Sequence, residues 1–167
     1  MEFFASWVFK CRRWVYLKMK FPRLEKPPDI VRKGVLAEKK VEKFFELMGV
    51  DYVKQPRGRI DFENFSILGR ADFLTKGCVV EVKHSSRNFP KDWVAQLNLY
   101  MKMFGVDKGV LVRLSGDSIS MKLFEFDEVL YRDSVEYFEW FLENRPNPPE
   151  KCYNTWCGFK HICKFVG

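Results

Sequence analysis

Apolar positions in this chain recur with two different periods, and the change of period divides it into elements. From Pro90 to Gly105, Trp93, Leu97, Tyr100, Met101 and Phe104 follow helical spacing, with Pro90 suited to open the helix and Gly105 to close it. Cys78 to His84 reads with period two: Val80 and Val82 point one way, Glu81 and Lys83 the other. Lys108 to Leu114 is a further apolar run of strand length, so the middle of the chain predicts a strand–helix–strand crossover. The same patterning predicts helices over 3–20, 29–48 and 128–144, and strands near 50–55, 60–67, 69–75 and 119–126. The connector Phe21 to Pro28 is rich in proline. With 167 residues the chain has length for one core and no second full domain, so 1–167 is read as a single α/β domain. No internal repeat and no apolar run of bilayer length interrupts it.

Charge narrows the partners. Lys and Arg number 29 against 22 Asp and Glu, a formal net of +7, which attracts polyanions. Arg57, Arg59, Arg70, Lys83, Arg87 and Lys91 bracket one stretch of the chain, interleaved with Phe62, Phe65, Phe73, Phe89 and Trp93. Cations alternating with aromatic rings suit single-stranded DNA. Basic small domains are common, so the charge carries weight only beside a catalytic motif.

That motif begins at Gly69-Arg-Ala-Asp72. Eight residues separate Asp72 from Glu81, and Glu81 and Lys83 share one face of a strand otherwise rich in valine. Charges in such a strand are paired or hold a cation, and Asp and Glu suit hard divalent ions such as Mg²⁺ or Mn²⁺. Alone, Asp-x8-Glu-x-Lys is a weak pattern, since same-face Glu–Lys pairs are common on solvated sheets. The next helix adds Gln96 and Tyr100, four apart and so one turn apart on one face.

This order of parts resembles the RecB-type nucleases of the restriction-endonuclease-like, PD-(D/E)XK class. The resemblance implies a mixed sheet flanked by helices, metal ligation by Asp72 and Glu81, a catalytic Lys83, and Gln96 and Tyr100 lining the DNA path. It also implies the main-chain carbonyl of Val82 as a ligand. At the position where the commonest pattern has Gly-x-x-x-His, this chain has Gly34-Val-Leu-Ala-Glu38. Glu38 is therefore the candidate third ligand, against the plainer reading that it belongs to a solvated helix face with Lys39, Lys40, Glu42 and Lys43.

Five cysteines form the second constellation: Cys11, Cys78, Cys152, Cys157 and Cys163. The opening segment has no signal-peptide pattern, so an intracellular, cytoplasmic chain is expected, where cysteine clusters suggest metal more than disulfides. Cys78 fits as a small buried apolar residue. The triplet Cys152-x4-Cys157-x5-Cys163 needs a fourth thiolate, which Cys11 can supply if the chain ends meet. An early cysteine, a RecB-type core and a late cysteine triplet resemble the CRISPR-associated RecB-like iron–sulfur nucleases, the fourth Cas family. That likeness implies a [4Fe–4S] cluster on Cys11, Cys152, Cys157 and Cys163, joining 1–25 to 146–167. Zinc is the competing metal, with His161 able to replace one thiolate.

The expected activity is metal-dependent exonucleolytic hydrolysis of single-stranded DNA or DNA ends, in CRISPR spacer acquisition or in processing of viral or mobile-element DNA. Arg70, Arg87 and Trp93 are the expected DNA contacts. The alternative is a non-catalytic nucleic-acid-binding scaffold that acts through a partner integrase. No membrane association is expected, and a homo-oligomer is compatible with the chain without being required by it.

Overall fold

A computed structural model describes residues 1–25, 31–116, 118–147 and 157–164, with the side chains of 31–33 left aside. Its centre is a five-stranded sheet in the order β2-β5-β6-β7-β8: β2 Tyr52–Lys54, β5 Phe73–Thr75, β6 Cys78–His84, β7 Lys108–Ser115 and β8 Ser118–Glu125. Within this sheet only β6 and β7 pair in parallel, Glu81 opposite Leu111 and Lys83 opposite Arg113. A second sheet, β1-β4-β3, joins β1 Glu2–Phe4, β4 Ser66–Arg70 and β3 Arg57–Asp61. The sheet is mixed and flanked by helices, as expected of a restriction-endonuclease-like fold.

Helix α3, Lys91–Phe104, is the expected crossover between β6 and β7. Its N-terminus follows Pro90 and its C-terminus is capped by Gly105 in the left-handed region, φ 64°, which glycine adopts without penalty. It packs over one face of the sheet with α4, Glu128–Glu143, against it. Buried Asn98 fixes that packing: its amide donates to the Asp127 carbonyl at 2.8 Å and accepts the Asp127 N–H at 2.9 Å. The Asp127 carboxylate then caps α4 through the N–H groups of Val129 and Leu130. On the other face lies α2, Val31–Met48, whose Ala37 and Val41 close a smaller apolar cluster with Phe73, Val80, Val82 and Val112.

The N-terminal stretch departs from the expectation of one helix over 3–20. It contains β1, a 3₁₀ turn at Ala5–Trp7, and only then α1, Arg12–Lys20. The reason is tertiary. Phe3 is fully buried among Phe65, Phe138 and Phe141, and β1 pairs in parallel with β4, which a local period does not reveal. The strands expected at 60–67 and 69–75 are likewise three. A reversal, with the Phe62 N–H donating to the Phe65 carbonyl, separates β3 from β4, and the chain leaves one sheet for the other between Arg70 and Phe73.

Candidate active site

That transfer between sheets creates a fork. β5 pairs with β6 only from Cys78 to Val80, so beyond Val80 the β5 side of β6 is free of a strand partner. Asp72, just before β5, fills the first vacancy: its Oδ2 accepts the Val82 N–H at 2.6 Å. An extended residue directs its N–H and C=O to the same edge, so the Val82 carbonyl shares this side with Asp72. Glu81 and Lys83 project from the α3 face, where Gln96 and Tyr100 wait one helical turn apart.

The polar side chains form one network. Lys83 Nζ donates to Glu81 Oε1 at 2.7 Å and to Gln96 Oε1 at 2.8 Å. The Gln96 amide donates to the same Glu81 Oε1 at 3.0 Å and to the Tyr100 hydroxyl at 2.8 Å. Glu81 is only 5% exposed, and its other oxygen, Oε2, is buried with no hydrogen-bond partner. Such an orphaned carboxylate oxygen is costly unless a cation occupies the space before it. Burial and the neighbouring Glu81 charge push the Asp72 carboxyl up to about 8, with Glu38 adding to the effect and the Val82 N–H and Lys83 opposing it. Burial, then the charges of Glu81 and Asp72, hold the Tyr100 hydroxyl well above the usual phenol range, so it is neutral.

Close approach of α3 to β4 depends on Gly69. A Cβ there would lie 2.6 Å from both Tyr100 Cε1 and Met103 Sδ. Glu38 sits partly buried on α2 and is held by Gln55, whose amide donates to its Oε2 at 3.2 Å. Gln55 also donates its backbone N–H to the Asp72 carbonyl at 2.8 Å, from a strained φ of 49° before Pro56. Gln55 was not legible as a site residue; the Gln-Pro step before a strand is the only local trace of it.

The remaining candidates divide. Arg70 is exposed directly opposite Arg57 in the β3–β4 ladder, an unfavourable like-charge pair that a polyanion relieves. Arg87 is exposed, bonds Asp92 at 3.0 Å and lies over the Trp93 ring. Trp93 itself is core, 7% exposed, because α3 turns it inward; of the two, Arg87 is what the surface offers. The two ends of the chain do meet: Arg13 donates to the carbonyls of Pro146 and Cys163 at 3.0 and 3.5 Å, and Trp14 packs edge-on to Phe159. Cys11 precedes α1 on this seam, and Cys157 and Cys163 lie in its C-terminal half, whereas Cys152 falls outside the described residues. Among the described residues, no three His, Cys, Asp or Glu side chains are grouped closely enough to hold a metal together. None of the described helices is long and apolar enough to cross a membrane.

Comparison with known proteins places this geometry. The crystal structure of SSO0001 superposes with a TM-score of 0.73 at 20% identity, covering 97% of this chain and 85% of the other. An alkaline exonuclease from Laribacter hongkongensis gives 0.64 at 16% identity over 84% and 86% of the two chains, and it has also been crystallised in complex with dAMP. A phage-related exonuclease from Haemophilus somnus 129PT gives 0.57 at 16% over 77% and 76%. At these identities the likeness is one of fold. No curated protein matches the sequence. The Mrr catalytic-domain model, described as restriction endonuclease, matches residues 35–118, half of the chain and the whole span from Glu38 through Tyr100. The chain therefore belongs to the restriction endonuclease family of nucleases.

Proposed function

We propose that this protein is a divalent-metal-dependent DNA exonuclease, acting on single strands or strand ends at the fork between β5 and β6. The observation that carries the reading is the buried, unpartnered Glu81 Oε2 beside an Asp72 carboxyl pushed up to about 8. Two buried carboxyl groups without enough positive charge suit a hard cation such as Mg²⁺ or Mn²⁺. Asp72, Glu81 and the Val82 carbonyl would hold it, with Glu38 close enough to share its field. Bound there, the cation would supply Lewis-acid polarisation of the scissile phosphodiester.

The chain's own residues do the rest. Lys83, held between Glu81 and Gln96, presents its remaining ammonium proton to the attacking water or to charge developing on phosphoryl oxygen. Gln96 keeps Lys83 and Glu81 in register, and Tyr100 anchors Gln96. Arg57, Arg70 and Arg87 offer exposed guanidiniums to the DNA backbone.

The seam between α1 and 157–164 supports a structural [4Fe–4S] cluster on Cys11, Cys152, Cys157 and Cys163. Its donor set is all thiolate, and Arg13 and Trp14 bring the described ligand segments to one side of the molecule. The cluster would pin the ends of a nuclease that processes DNA in CRISPR spacer acquisition or on mobile elements. Iron and acid-labile sulfide in anaerobically purified protein are the expected result; zinc in stoichiometric amount with neither would replace the assignment.

The activity is tested on end-labelled single-stranded DNA with Mg²⁺ or Mn²⁺. We expect progressive shortening by the parent, abolished by EDTA and reduced by at least about a hundredfold in Lys83→Ala. A folded Lys83→Ala that cuts at the parent rate would sink the assignment.

A further inference from the structure

We propose that a cavity on the far side of α2 is a second nucleic-acid subsite, taking the phosphates of the DNA strand whose end lies in the fork. It rests on the nuclease reading above and adds a place where the strand is held. The cavity measures about 640 Å³, within the span of small-ligand sites, roughly 300–1,000 Å³. Leu36 and Leu114 give it an apolar floor, and Lys39, Lys40, Lys43 and His84 line it; no carboxylate does.

Helix α2 segregates its charges to make this surface. Glu38 and Glu42 face β2, where Gln55 takes the first, and Lys54 and Tyr52 take the second. Lys39, Lys40 and Lys43 face the other way, and among the described residues none of them has an ion pair. Lys39 and Lys43 are four apart, a like-charge spacing that weakens a helix. Lys39 is also three residues before Glu42, within reach of a favourable pair that does not form. The arrangement is adverse in the free protein and favourable once a polyanion lies across it.

Two of the residues lining the cavity are chain neighbours of fork residues. Lys39 follows Glu38, and His84 follows Lys83 but points to the opposite face of β6. A strand crossing the C-terminal end of β6 therefore passes from one to the other. The Leu36–Leu114 floor can cover a sugar or base while the ammonium groups meet its phosphates.

The experiment is anisotropy with a labelled single-stranded oligonucleotide, in EDTA so that nothing is cut, across a salt series. The triple variant Lys39→Gln, Lys40→Gln, Lys43→Gln is compared with Lys76→Gln, Lys108→Gln, Lys122→Gln, which loses the same charge elsewhere. We expect the first to bind about tenfold more weakly near 0.15 M salt, its salt slope smaller by about 0.7 for each lysine engaged. The control should lose no more than about twofold, and Lys→Arg at 39, 40 and 43 should restore the parent slope. Equal losses in the two triple variants, or an unchanged slope, would overturn the subsite while leaving the nuclease standing. A parent that neither binds nor cuts DNA overturns both.

Discussion

The fork and the terminal seam are built on opposite plans. Every hydrogen bond joining Asp72, Glu81, Val82, Lys83, Gln96 and Tyr100 links residues no more than 15 positions apart. At the seam, single bonds from Arg13 reach across 133 and 150 positions. The fork is electrostatically uneasy, with a raised Asp72 and an orphaned Glu81 oxygen, while at the seam the buried Arg13 guanidinium, its Nε also unpartnered among the described residues, ties the buried Pro146 carbonyl to the half-buried Cys163. One region stores adverse energy that a cation would relieve, and the other contributes closure of the chain. Function and stability should therefore separate on mutation.

The sharpest break is Asp72→Asn. The amide keeps the shape but removes the charge a cation needs, so cleavage should fall by about a thousandfold or more, roughly 4 kcal/mol of transition-state stabilisation. Removing one of two crowded carboxyl groups should also leave the metal-free protein as stable as the parent, or more so, at pH 8. Single-turnover rates and urea midpoints in EDTA test both halves. A variant that loses stability and activity together would mean that the fork is held by its carboxylates rather than strained by them.

Gly69→Ala should do the reverse at the same place. Its Cβ meets Tyr100 and Met103 at 2.6 Å, and overpacking of this kind costs about 1–3 kcal/mol. The urea midpoint should drop, and cleavage should weaken as Tyr100 and Gln96 shift. Unchanged stability would show that α3 can retreat from β4 freely, which its burial against both sheets argues against.

Arg13→Met asks the question of the seam. Arg13 is 3% exposed, and its loss leaves the carbonyls of Pro146 and Cys163 without that donor, at a cost of about 1–3 kcal/mol. Cleavage at saturating DNA should stay within about twofold of the parent. A large loss of turnover with little loss of stability would join the two regions and end the contrast.

The same difference in range explains what was legible. The strand period put Glu81 and Lys83 on one face and the helix period put Gln96 and Tyr100 one turn apart, whereas their grouping with Asp72 as one site came from the resemblance to RecB-type nucleases; β6, α3 and β7 came out close to their observed bounds. β1 was not readable, because Phe3 is fixed by partners beyond residue 60 and at the far end of the chain. Gln55 was missed because its role depends on a left-handed backbone and on contacts to two other elements. Trp93 stood both on the apolar stripe of α3 and among the rings interleaved with cations, and the rotation of α3 that brings Gln96 to Glu81 turns it into the core. The lysines of α2 were visible as a charged face, whereas their meeting with His84 and Leu114 required the packing of α2 on β6.

The smallest and most specific prediction concerns pH. The Asp72 carboxyl stands at about 8 in the folded protein against an ordinary value of 3.8, first because it is buried and second because Glu81 is beside it. Between those values the native state holds more protons than the unfolded chain, so this group's stabilisation is complete below about pH 4 and is lost as pH rises through about 8. A divalent cation works in the opposite sense, since it must displace the proton to bind. Its apparent affinity should climb by up to about tenfold per pH unit, roughly 1.4 kcal/mol, and level off above pH 8. Melting temperatures with EDTA and with Mn²⁺, from pH 6 to 9, should diverge as pH rises, and Asp72→Asn should remove the divergence. Parallel curves in the parent would mean that the proton and the cation do not compete, and that the orphaned oxygen of Glu81 is relieved by something other than a metal.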